Sequence, residues 1–217
     1  MLSAGYMSEF VNTEHIICRM LAQQCMPTLL KMKPASLLLI DKNLVPDLQE
    51  FYTYLMKYLK YYSCSYIPFQ ETDVRLYLFL YCEDLLYQSI TTGMRQSFLE
   101  SYGYFVRKEQ MASVLGLLGR RYRNYWVSGE FPHEIGLFLG YPLTDVEGFI
   151  RNKGRNYLLC GMWKVYGRVK VAEAAFLSFH QMKAMAVKLT ETKIELLSLR
   201  REELEQYNRI IWELLTY

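Results

Sequence analysis

The stretch "VRLYLFLYC", residues 74–82, constrains the fold more than any other. Its centre is apolar at every position, so as a strand it offers no face to water and must lie inside a sheet covered on both sides. A second short run, "ASLLLI" at 35–40, is bounded by Pro34 and "DKN" and reads as another buried strand. Both runs fall well short of the ~18 residues a membrane-spanning helix requires. The segment "YLLCGMWKVYG", 157–167, reads as a third strand, with Gly161 interrupting it as at a bulge.

Helical patterns surround these strands. Residues 13–24 carry Ile16, Ile17, Met20 and Leu21 on one face, with Thr13 as the expected cap. Pro27 stops that helix. In 46–62, Phe51, Tyr52, Leu55, Tyr58 and Leu59 recur at helical spacing, with Pro46 expected at the first turn. Further helices are predicted from "EDLLYQSI", over 95–101 and over 108–126. Pro132 and Gly140 punctuate a short helix, the capping-box pattern of Thr144 to Glu147 starts another over 145–152, and a long one begins near Val169 and runs to about Lys188. The segment 190–217 shows a heptad-like seam of Leu197, Leu204 and Ile211 with Tyr207 and Leu214. The pattern as a whole predicts an α+β fold: a helix-rich domain over 1–189 with a small, about three-stranded sheet, and a C-terminal helix over 190–217 that docks on the domain or on a second copy.

Composition narrows the class. Hydrophobic residues make up 52% of the 217, so a core is readily built. The net charge of +3 and pI near 8.5 fall short of the strongly basic, clustered face of a nucleic-acid domain, so nucleic acid is not the expected partner. The N-terminus has no basic region followed by an apolar core, which predicts a cytoplasmic protein without a membrane segment. The five cysteines are odd in number and lack any C-x-x-C pair, which fits reduced thiols better than a disulfide framework or a four-cysteine zinc site. Phosphate-binding loops and the serine nucleophile elbow are missing, and no constellation names a reaction or a cofactor.

The candidate site centres on "FPHEIGLFLGYPLTDVEGFI", 131–150. Gly140 and Pro142 are accounted for as a corner between two helices; His133, Glu134 and Tyr141 are left over. His133 and Glu134 are neighbours pointing about 100° apart on a helix, and His133 is followed four residues later by Leu137, so this is not a metalloprotease motif. A metal would need His133 and Glu134 to converge with Cys25, Cys160, His15 or His180, and His133, Cys25 and Cys160 are the candidate ligands. In the strand reading, Lys164 and Tyr166 share one face and Trp163 and Val165 the other, and Lys31 and Lys33 add positive charge before the first strand. Cys25 and Thr28 lie in the loop after the first helix. The expected pocket is lined by the His133 helix, the Cys25 loop and the Trp163–Tyr166 strand, and takes a small ligand, metal or redox cofactor. Two alternatives use the same residues differently. One is a protein-interaction module, pairing with itself through the C-terminal helix. The other is a helix-turn-helix around Gly140, against which Asp145 and Glu147 at the start of the second helix weigh by repelling phosphate.

Three segments together resemble a known family. "CMPTLLKMKPASLLLI" (25–40), "FPHEIGLFLGYPLTDVEGFI" (131–150) and "CGMWKVYGRVKVAEAAF" (160–176) follow, in order, the pattern of the DUF3793 proteins. The resemblance covers roughly 18–185 and implies a small cytoplasmic protein of anaerobic bacteria, with no activity attached. Family members often carry a His just before the first of these cysteines, where this chain has Gln24.

Overall fold

The computed structural model describes residues 12–191. Nine helices and two small antiparallel sheets make an α+β fold among these residues. The main sheet has the order β1 (Ala35–Asp41), β3 (Arg75–Tyr81), β2 (Ser65–Glu71), so β3 is central and pairs antiparallel on both sides.

Alternation along β3 divides the molecule into two cores. Leu76, Leu78 and Leu80 face one way, into a core with α1 (Thr13–Gln24), α2 (Met26–Leu29), α3 (Leu48–Tyr61) and α9 (Val169–Glu191). Tyr77 and Phe79 face the other way, into a core with α4 (Glu83–Thr91), α5 (Met94–Ser101), α6 (Met111–Ser128), α7 (Ile135–Phe138) and Val146 of α8 (Leu143–Arg151). A strand side chain fully buried in this way contributes about 2 kcal/mol of transfer free energy. Five consecutive buried positions in β3 therefore make it the strongest apolar anchor of the fold. Phe69 stacks on Phe79 at 4.8 Å and tilts against Tyr122 at 5.2 Å, which ties α6 to the aromatic side of the sheet.

The sheet differs from the sequence expectation in its third member. That strand is "SYIPFQE", 65–71, which carries a proline. Pro68 is tolerated because β2 is an edge strand, and the register shifts between Pro68 and Gln70. The segment 157–167 instead forms a separate hairpin, β4 (Leu159–Cys160) and β5 (Lys164–Val165). Gly161 sits at its turn rather than at a bulge, because the Phe176 ring of α9 occupies the space a Cβ would take.

Helix starts also shift. Asn12 rather than Thr13 caps α1, its side chain accepting from the Glu14 amide at 2.8 Å. Asp47 rather than Pro46 starts α3, accepting from the amides of Gln49 and Glu50. The helix α8 begins at Leu143 behind Pro142, without a capping box. The last helix, α9, continues through the expected boundary at 189–190 as far as Glu191. The heptad seam, and with it the expected self-pairing through 190–217, falls almost wholly outside the described residues.

Gly140 closes the turn between α7 and α8 with φ of 86°, and a Cβ there would stand 2.5 Å from Pro34 Cδ. Gly129 has φ of 75° but open space around it. In urea denaturation Gly129→Ala should cost about 1 kcal/mol from backbone conformation alone. Gly140→Ala should cost about 2 kcal/mol more, because Pro34 must move. Equal losses would show that the corner does not depend on the Pro34 contact.

Candidate functional site

A cavity of about 410 Å³ opens between the α7–α8 corner and the β4–β5 hairpin. His133, Tyr141, Trp163 and Lys164 line it, with Cys160 and Gly161 at the hairpin and Leu37 from β1 at its floor. All of its lining residues lie within the three segments 25–40, 131–150 and 160–176.

The walls are aromatic and are built as two runs of rings in contact. Phe131, His133 and Phe149 follow one another at centroid distances of 5.4 and 4.9 Å. Tyr141 stacks on Trp163 at 4.8 Å, and Trp163 meets Phe176 edge-on at 4.5 Å. Lys33 places its ammonium 5.6 Å from the Tyr141 ring centre. Burial, then Lys183, hold the Lys33 amine down at about 8. It is therefore cationic at neutral pH by a narrow margin, and the Tyr141 ring face helps keep it so.

Asp145 fixes the hairpin to α8. Its carboxylate accepts from Trp163 Nε1 at 2.8 Å, from the Tyr166 amide at 2.8 Å and from the Gly167 amide at 3.1 Å. Asp145 is buried, so these three donors replace the water it gives up. The sequence pointed to Asp145 only as part of a helix start. An Asp in a first turn is ordinary there, and nothing in its spacing announces partners eighteen and more residues downstream.

Lys164 also lines the cavity, with its ammonium held at the rim. It donates to the Gly154 carbonyl at 2.7 Å and lies over the Tyr157 and Phe149 rings at 5.0 and 5.7 Å. Burial lowers the pKa of His133 from its ordinary value, so its imidazole is neutral at pH 7. Among the wall side chains it is a polar group able both to donate and to accept.

The other candidates stand apart from the cavity. Glu134 turns away from His133 and is buried, accepting from Tyr104 Oη at 2.9 Å and from Arg121 Nε. It thereby locks α7 to α6. Cys25 is fully buried beneath α1, and burial pushes its thiol up to about 12, so it stays protonated. The Thr28 hydroxyl shares a 2.8 Å hydrogen bond with Ser36. Tyr166 packs its ring on Gly148, where a Cβ would collide with it, and its hydroxyl has no hydrogen-bond partner among the described residues. Gln24, at the position of the family's His, donates to the Leu39 carbonyl at 3.0 Å and accepts from the Leu39 amide at 2.9 Å. Its amide thus satisfies both backbone groups of one residue on the edge strand β1. Among the described residues no group of three or more His, Cys, Asp or Glu side chains is placed to hold a metal ion, and no helix is long and apolar enough to cross a membrane.

Replacing Asp145 by Asn keeps an acceptor for the two amides but sets an NH₂ against the Trp163 indole N–H. Loss of one charge-assisted bond and an unpaired buried donor should cost about 2–4 kcal/mol. Trp163 should shift to redder emission as the hairpin loosens; unchanged stability and emission would remove Asp145 from this role.

A model of the family described as "Protein of unknown function (DUF3793)" matches residues 21–200. No curated protein and no solved structure matches the chain.

Proposed function

Since the chain belongs to the DUF3793 family, a family without an activity to carry over, we propose from the cavity itself that the protein binds a small, flat, largely apolar molecule between the α7–α8 corner and the β4–β5 hairpin. The observation that carries this reading is the convergence of the three family-like segments on one aromatic-walled cavity. Aromatic walls at stacking distance favour a planar ligand, and a volume of about 410 Å³ suits a molecule of drug-like size. His133 supplies the orienting hydrogen bond. Lys164 stands at the rim and attracts a partial negative charge on the ligand's outer edge. The reading calls for no metal.

The helix-turn-helix alternative has less support. A recognition helix needs its first turn free to face the groove, whereas Asp145 in the first turn of α8 is buried against Trp163.

Native mass spectrometry of the gently purified chain should retain an added mass in this cavity. The pocket can also be titrated with N-phenyl-1-naphthylamine as a neutral apolar probe. His133 is partly exposed, so His133→Ala should change the thermal midpoint little while weakening saturable probe binding about tenfold. Covering the imidazole favours its neutral form further. Binding should therefore be strongest at neutral pH and weaken only as pH falls below the ordinary histidine range. Unfolding of His133→Ala in step with the loss of binding, or binding indifferent to the substitution, would overturn the proposal.

A further inference from the structure

A second cluster shares no lining residue with the cavity. Cys64 immediately precedes β2 and Cys82 immediately follows β3. The last pair of that ladder is Ser65 with Tyr81, so one further step of the antiparallel register sets Cys64 opposite Cys82. Residues opposed across antiparallel strands have Cα atoms about 4.5–5.5 Å apart. That lies inside the span of about 4.4–6.8 Å that a disulfide requires. In this structure both are free, buried thiols.

A cation is built in beside them. Lys31 Nζ donates to Cys64 Sγ at 3.2 Å and to the Ser63 carbonyl at 2.8 Å. Lys31 and Ser63 both adopt left-handed backbone conformations, with φ of 61° and 48°, which non-glycine residues seldom take. Cys82 is the N-cap residue of α4, where the helix dipole favours an anion. The neighbouring Cys64 thiol, with the Lys31 ammonium and the Leu85 amide, outweighs burial and holds the Cys82 thiol below its ordinary range. Its partner Cys64 is pushed up, first by the neighbouring Cys82 and then by burial. A groove of about 440 Å³ lined by Lys31, Ser63 and Cys82, with Glu83 and Asp84 also on its wall, runs beside the pair on the Cys82 side.

We propose that Cys64 and Cys82 form a hydroperoxide-reactive dithiol, in which Cys82 is the attacking thiolate and Cys64 the resolving thiol. The Cys82 thiolate attacks the distal oxygen of a hydroperoxide. An S–O bond forms, the O–O bond breaks, and the leaving alkoxide or hydroxide takes a proton from water. Cys82 is then a sulfenic acid. The Cys64 sulfur attacks the Cys82 sulfur, the S–S bond forms and the S–O bond breaks, and hydroxide departs with the Cys64 proton as water. Two electrons pass from the dithiol to the hydroperoxide, and a small dithiol reverses the step by exchange. The lysine is a positioning residue that keeps the anion at the groove.

The test treats the full chain with stoichiometric hydrogen peroxide, blocks remaining thiols with N-ethylmaleimide and maps the peptides. A Cys64–Cys82 linked peptide that dithiothreitol dissolves is expected, formed about tenfold faster in the folded chain than in the same chain unfolded in urea. In Cys64→Ser, dimedone should capture sulfenic acid on Cys82. In Cys82→Ser, Cys64 should stay unmodified. Lys31→Met should slow the first step about tenfold with an unchanged circular-dichroism spectrum. No linked peptide from the wild-type chain, or linking equally fast after unfolding, would overturn the proposal, and the wild-type mapping decides this even where a variant fails to fold.

Discussion

Everything in this fold depends on one strand having no face to spare. β3 buries Leu76, Leu78 and Leu80 on one side and Tyr77 and Phe79 on the other. A helix layer on either side alone would leave one of those faces wet, so the chain must supply both. It does so by placing α1, α3 and α9 on the leucine side and α4 to α8 on the aromatic side. The antiparallel neighbours β1 and β2 then satisfy the β3 backbone. The two candidate sites are consequences of this division. The cavity forms where the aromatic layer ends and the β4–β5 hairpin begins. The cysteine pair forms where the β2–β3 ladder stops.

The cavity is held open by groups whose own needs are met. Asp145 has three donors, Trp163 lies between Tyr141 and Phe176, and Lys164 is anchored on Gly154. Glu134 does the corresponding work on the other side of the corner, taking Tyr104 and Arg121. Rigid walls matter for binding because a preformed site loses little conformational freedom when a ligand enters. The glycines serve the same end. Gly136, Gly148 and Gly161 stand where Val146, Tyr166 and Phe176 respectively come too close for any Cβ.

Much of this was legible in the sequence, for identifiable reasons. The strands 35–40 and 74–82 stand out because both of their faces are apolar, and the α+β class follows from them. β2 escaped notice because "SYIPFQE" is half-exposed and carries Pro68, both consequences of lying at an edge. The segment 157–167 has strand-like residues but spends them on a turn, a choice forced by Phe176, far along the chain. His133 and Tyr141 stand out as residues left over from the helix corner, Trp163 and Lys164 as members of the facing segment, and they do share a cavity. Glu134, Cys25 and Thr28 carried the same residue-type signal and proved to be occupied elsewhere. Side-chain direction, rather than identity, separates the two sets, and periodicity alone does not resolve it over a four-residue helix.

The cysteines show the same limit from the other side. Cys64 and Cys82 have no motif spacing, and by sequence each reads as a small buried hydrophobe. What distinguishes them is a register, which only strand pairing defines, and a lysine held by a turn. The segment from Lys31 to Pro34 carries that lysine and then continues to the cavity. Lys31 contacts Cys64, Lys33 stands over Tyr141, and Pro34 accepts from the Cys82 amide at 2.9 Å while packing on Gly140. Three residues of this four-residue segment thus link the two sites. Both φ at Lys31 and the close approach at Gly140 are positions where the backbone has little freedom to adjust. A shift of this segment at one end has no slack to absorb it before it reaches the other.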